Sequence, residues 1–243
     1  MKLDRSYSGI QVEILDDFSA LLDYVWKSPR FVQYEADLEE KKLEAYFPKA
    51  EADANPRVDF LRRARKHFED DKLHRHFPRY IATSNLFLAT SLFEHYLLSI
   101  CRKAEKSCEQ KIADQRGNGC ERFFRFLKEI GFETYDAYLY NQVDAALTIR
   151  NAMLHANGDL RLSRERRKVE NICNKELFIE PSRRKIGNGM ADEWGKEEIS
   201  ISSDLNYVNI NNFYSYRATA YYRDYLLDVS KPLYPEHEAG FNS

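Results

Sequence analysis

The stretch Ile149-Arg150-Asn151-Ala152-Met153-Leu154-His155-Ala156-Asn157-Gly158 sets an Arg, an Asn and a His within six residues of an otherwise apolar segment. Each of the three suits a phosphate. Arg offers a permanently charged planar fork, His exchanges a proton near neutral pH, and Asn can hold either in place. At about 100° per residue on a helix, Asn151 and His155 (i, i+4) share a face and Arg150 stands roughly 100° to one side, so all three border one shallow site. That helix is expected to start near residue 138 and to close at Asn157-Gly158, residues that tolerate positive φ.

Helical periodicity continues on both sides. Upstream, Ile81, Leu86, Leu88, Ala89, Leu92, Phe93, Tyr96, Leu97 and Ile100 make a long apolar face, which predicts a central helix over 79–105 after a break at Pro78. Ile14, Leu15, Phe18, Leu21, Leu22 and Val25 predict a first helix over 12–26. Pro29 suits the first turn of a second helix that runs to about 46, and Asn55-Pro56 opens a third over 58–68. A short helix over 121–130 is stopped by Gly131, and a basic helix over 161–174 follows the Arg-Asn-His segment. The pattern then changes. Leu177-Phe178-Ile179-Glu180 and Glu198-Ile199-Ser200-Ile201-Ser202 read as the strands of a small hairpin around a polar, Arg- and Gly-rich loop. Ser203-Asp204 predicts the start of a last helix through 229, with Tyr214, Ala218, Tyr221, Tyr222, Tyr225 and Leu226 as its core face. The expected organisation is a helical extension over 1–78 packed on the core, a helical domain over 79–232 with the hairpin inserted near 176–202, and a flexible tail over 233–243.

Composition agrees with an all-α, cytoplasmic protein. The 243 residues are 43% hydrophobic and 31% charged, with only nine Gly and seven Pro to interrupt helices. Met1-Lys2-Leu3-Asp4-Arg5 lacks the apolar core of a signal peptide. Residues 81–100 are the most apolar, but Ser84, Asn85, Ser91, Glu94 and His95 interrupt them, so no membrane span is expected. Cys101, Cys108, Cys120 and Cys173 form no C-x-x-C pair and have no metal-ligand spacing with histidines. His74 and His76, two residues apart, point to different helix faces, so no metal site is read there. Walker, G-x-G-x-x-G and G-x-S-x-G motifs are missing, and no cofactor is implied.

Arg150, Asn151 and His155 resemble the R-N-x-x-x-H signature of the HEPN superfamily, small all-α proteins that include many metal-independent RNA endonucleases of bacterial defence, toxin and RNA-processing systems. Ser91-Leu92-Phe93-Glu94-His95-Tyr96-Leu97 looks like the long helix that packs on the motif helix in these proteins. The resemblance covers about residues 79–160. It implies an antiparallel helical bundle and a two-fold homodimer in which two copies of the motif build one composite site. By the same resemblance, His155 is general acid or base, Arg150 binds and stabilises the scissile phosphate, and Asn151 orients His155 or the phosphate. Glu94 is a candidate partner for Arg150 or His155. The implied chemistry is attack of a ribose 2′-OH on the adjacent phosphorus, leaving a 2′,3′-cyclic phosphate and a 5′-hydroxyl. A toxin or abortive-infection role follows from the same likeness, and with it an antitoxin or other regulatory protein. Members paired with a nucleotidyltransferase antitoxin carry a Tyr two residues after the motif His; Asn157 stands there in this chain. The alternative is a HEPN module without catalysis that binds RNA or another protein.

A net charge of −2 argues against generic nucleic-acid binding by the whole chain. The charge is locally uneven, however. Arg161, Arg164, Arg166, Arg167 and Lys168 follow the motif and are candidates to track an RNA backbone with strong salt dependence; a solvated helix face balanced by Glu165 and Glu170 is the other reading.

Overall fold

The apolar faces of four helices meet in one core: α1 (Ile10–Lys27), α5 (Phe77–Glu105), α7 (Ala137–Ala156) and α9 (Asn212–Ser230). The computed structural model describes residues 9–132, 136–174, 198–202 and 206–234. Among these the chain is mostly helical, with one two-stranded sheet. In α1, Ile14, Phe18, Leu21 and Val25 recur at helical spacing and are buried, which makes α1 part of the same core as α5 and α9.

The direction of each helix can be read from its partners. Ser215 Oγ donates to the Ala82 carbonyl, Thr90 and Tyr222 share a hydrogen bond, and Phe93 meets Tyr222 and Tyr225, so α5 and α9 run parallel. Gln11 donates to Ser230 and Asn212 to the Val25 carbonyl, which sets α1 antiparallel to α9. Arg79 near Asn157 and Glu94 near Arg150 set α7 antiparallel to α5. Adjacent helices therefore alternate in direction, and the parallel diagonal pair α5 and α9 touch each other. Ala82, Ala89 and Ala218, all fully buried, leave room for that approach. Phe93 and Tyr222 fill the space beyond, with rings 4.5 Å apart and nearly parallel. The helix α6 (Cys120–Glu129) closes one end, where Phe124 packs on Phe93, Tyr140 and Tyr225.

Outside this core, α2 (Arg30–Tyr46), α3 (Lys49–Ala54) and α4 (Pro56–Asp71) form a polar arm. Arg65 bridges Glu39 of α2 and Glu69 of its own helix, and Lys72 also meets Glu69. Asn55 caps α4 by accepting from the Arg57 amide, with Pro56 in the first turn. The break expected at Pro78 does not occur. A π-helical turn, Lys72–His76, joins α4 to α5, and the backbone stays helical from Pro56 to Glu105. Pro78 has no N–H to give, and the wider turn just before it absorbs the missing bond.

The later part of the chain departs from expectation in two places, the approach to the last helix and the start of the basic helix. The run 177–180 lies outside the described residues. The strand β1 (Ile199–Ile201) pairs antiparallel with β2 (Val208–Ile210), in the register Ile199 to Ile210, so the last helix begins at Asn212 and not at 203. Val208 and Ile210 are buried and Asn209 points outward, a period of two that defines a strand, and the Asn211 side chain then caps α9 by accepting from the Tyr214 amide. The basic helix, α8, spans Arg166–Asn174 and not 161–174. Asp159 is held in a bridge to Tyr207, and its carboxylate accepts from the Arg161 amide, which keeps the preceding residues out of the helix.

Candidate functional site

The segment Arg150–His155 lies in the last turns of α7, and the end of that helix is firmly fixed. Asp136 caps its start by accepting from the Leu139 amide. At its other end Asn157 is left-handed, with φ 48°, and Gly158 follows at φ 79°. Both of their amides donate to the Ala152 carbonyl. The Gly158 carbonyl then accepts from Val208 of β2, and the Asn157 carbonyl accepts from Arg79 of α5 at 3.0 Å. Val143, Ala146, Ile149 and Ala152 face the core, which turns Arg150, Asn151 and His155 toward the outside.

Arg150 is half-buried and braced on two sides. Its Nη1 donates to Asn151 Oδ1 at 3.0 Å, and its Nη2 lies 3.6 Å from Glu94 Oε1 on α5. Asn151 thus engages Arg150 and makes no hydrogen bond to His155. The His155 side chain is exposed, and neither ring nitrogen has a partner among the described residues. The arrangement in one chain is a fixed guanidinium with a free imidazole further along the same helix.

Cys120, at the start of α6, approaches the Glu94 carboxylate through Sγ at 3.8 Å. Burial, aided by the nearby Glu94 charge, pushes the Cys120 thiol up to about 12, so it is a neutral weak donor at physiological pH and no nucleophile. Burial pushes Cys101 up to about 12 as well.

The five cations that follow the motif divide into two groups. Arg161 forks onto Asp159 through Nε at 2.9 Å and Nη2 at 2.7 Å, and the guanidinium holds the Asp159 carboxyl below its usual range. Arg166 pairs with Glu170 at 2.7 Å, and Lys168 with Asp144 of α7 at 3.0 Å. Arg164 and Arg167 are exposed and have no carboxylate partner among the described residues. Charge available to a phosphate chain is therefore less than the sequence run suggests.

One group escaped the motif reading. The side chains His74, Arg75 and His76 of the π-turn, with Arg79, Arg161 and Tyr207, line a cleft between α2, the start of α5, the exit of α7 and β2. The His-Arg-His run was a visible signal, but its meaning depends on chain segments far apart in sequence. Among the described residues no cluster of three or more His, Cys, Asp or Glu is arranged to hold a metal, and no helix is long and apolar enough to cross a membrane.

Fold and site together define an all-α protein with a braced Arg-Asn pair and an exposed His on one helix. No family model matches the chain, and no curated protein or solved structure matches it.

Proposed function

We propose that this protein is a metal-independent RNA endonuclease of HEPN type that works as a two-fold homodimer. The observation that carries the reading is the state of the three motif side chains: Arg150 is held by Asn151 and Glu94, while His155, on the same helix, keeps both ring nitrogens free. In-line cleavage needs a base to take the 2′-OH proton as the 2′-oxygen bonds to phosphorus. It also needs an acid to protonate the leaving 5′-oxygen, and positive charge on the phosphorane. Two copies of His155 supply the proton transfers and Arg150 the charge. The products are a 2′,3′-cyclic phosphate and a 5′-hydroxyl, and a toxin or abortive-infection role under the control of an antitoxin or other regulator fits such an activity.

Incubating wild-type and His155→Ala protein with total cellular RNA in EDTA, followed by mapping of the ends, tests the reading. Cleavage by the wild type alone, leaving cyclic phosphate and 5′-hydroxyl ends, supports it. Intact RNA with both proteins, each folded and dimeric, favours the second reading, a non-catalytic module that binds RNA or another protein. That reading has its own support in Phe31, Tyr34, Phe60 and Phe68, aromatic side chains about two-thirds exposed on α2 and α4.

A further inference from the structure

The cleft beside the exit of α7 has a volume of about 950 Å³, the size of a small-molecule site. We infer that it binds a nucleoside phosphate. Two chemistries meet in its walls. Arg75, Arg79 and Arg161 with His74 and His76 line the cleft, and no carboxylate lines it among the described residues. Carboxylates behind the wall offset part of this charge: Asp71 meets Arg75 and His76, and Asp159 meets Arg161. Arg79 differs from its neighbours. It is half-buried, it donates to the Asn157 carbonyl and lies over the Tyr207 ring at 5.5 Å, and it has no carboxylate partner among the described residues. A half-buried guanidinium without a counter-charge in a concave wall is an anion site, since burying charge is unfavourable unless it is paired.

The lining also has an apolar part. Val32 and Ala36 of α2 with Pro78, Ile81 and Ile210 give the cleft far more apolar surface than a bare phosphate uses. A flat base fits there, and the Asn209 side chain, which has no partner among the described residues, offers an amide donor and acceptor for its edge. Part of the charged lining comes from the π-turn Lys72–His76, a distortion that recurs at functional sites and that here carries His74, Arg75 and His76 to the cleft. His155 does not line the cleft, so this inference goes beyond the nuclease reading and stands apart from it.

Calorimetric titration of the full chain with AMP, adenosine and inorganic phosphate tests the inference. AMP is expected to bind, with adenosine and phosphate each at least about tenfold weaker, because each lacks one of the two chemistries. Arg79→Gln changes the charged lining and Ala36→Trp the apolar lining, and each is expected to weaken AMP binding about tenfold or more, while His155→Ala leaves it unchanged. Circular dichroism confirms folding; should Arg79→Gln fail to fold, Ala36→Trp decides. A short single-stranded RNA that competes with AMP identifies the ligand as one nucleotide of a strand, and failure to compete identifies a free nucleotide. No AMP binding by the wild type at millimolar concentration, or unchanged affinity in folded Ala36→Trp, overturns the inference, whatever the RNA cleavage assay shows.

Discussion

Replacing Asn85 by Leu tests whether one buried amide holds three helices in register. Asn85 is 2% exposed, and its Nδ2 donates to Ser28 Oγ at 2.8 Å and to Asn212 Oδ1 at 2.7 Å. Both acceptors already direct their own protons at the Val25 carbonyl, Ser28 at 2.9 Å and Asn212 at 2.6 Å. The network therefore ties the end of α1 to α5 and to the start of α9. Leucine has the branched outline of asparagine with bulkier ends, and it leaves two acceptors without donors. A buried acceptor left unsatisfied costs about 1–3 kcal/mol. Asn212 is only half-buried and water relieves part of its loss, so the expected destabilisation is about 2–4 kcal/mol. For a chain of this length that lowers Tm by roughly 4–16 °C. Urea denaturation followed by circular dichroism reads the change directly, with Ser28→Ala as a control expected to cost about 1 kcal/mol, because Asn85 then keeps one of its two bonds. A loss below about 1 kcal/mol for Asn85→Leu would refute the argument, since two uncompensated buried acceptors cannot be that cheap.

Arg150→Ala and His155→Ala are each expected to lower RNA cleavage by about 100-fold or more while the protein stays folded, and Glu94→Gln to lower it less, because it only loosens the brace on Arg150; equal rates in all four proteins would remove the motif from the chemistry. Gly158→Ala is expected to cost about 1–3 kcal/mol in a thermal melt, since φ is +79° and a new Cβ would meet the Val208 carbonyl and Met153 Sδ at 3.1 Å. Burial raises the Cys101 and Cys120 thiols from 9.0 to about 12, so a thiol reagent at pH 8 should modify them slowly in the native protein and rapidly in urea. The sign of the accompanying pH effect is fixed: between pH 9 and 12 the unfolded chain has lost thiol protons that the native chain retains, so both cysteines make stability fall as pH rises through that window. Rapid native labelling of both thiols would show that the core around them opens easily.

The long helices were legible because their apolar residues keep a period of 3.6 over many turns, as Ile14, Phe18, Leu21 and Val25 do in α1. Strand β2 was not. Val208-Asn209-Ile210 holds only one alternation, too little to outweigh the helical run that starts four residues later, and the β-like run 177–180 competes with it as the expected partner of β1. Pro78 misled for a local reason: the rule that proline breaks a helix assumes α geometry before it, and a π-turn stands there instead. In the site, the positions of Arg150, Asn151 and His155 on one helix follow from spacing alone, whereas the bond from Arg150 to Asn151 depends on rotamers that spacing does not set. The basic run after the motif looked more available than it is, because Asp144 and Asp159, which neutralise two of its members, become neighbours only once α7 and its exit are folded. Five separate segments build the nucleotide-sized cleft, and no single stretch of sequence announces it.

The π-turn also sets an angle. A π-turn holds one more residue than the α turn it replaces, so if Lys72–His76 wound as plain α-helix with no residue removed, the rod upstream would shift by about 1.5 Å and rotate by about 100° relative to α5. Everything upstream on that rod changes phase relative to α5. The face of α4 that carries Arg65 and Glu69 toward α2 would swing away from Glu39, and the packing that holds α2 as part of the cleft's lining would be lost. The shape of the cleft is thus governed by helical phase, and a single extra residue keeps the two halves of the protein in time.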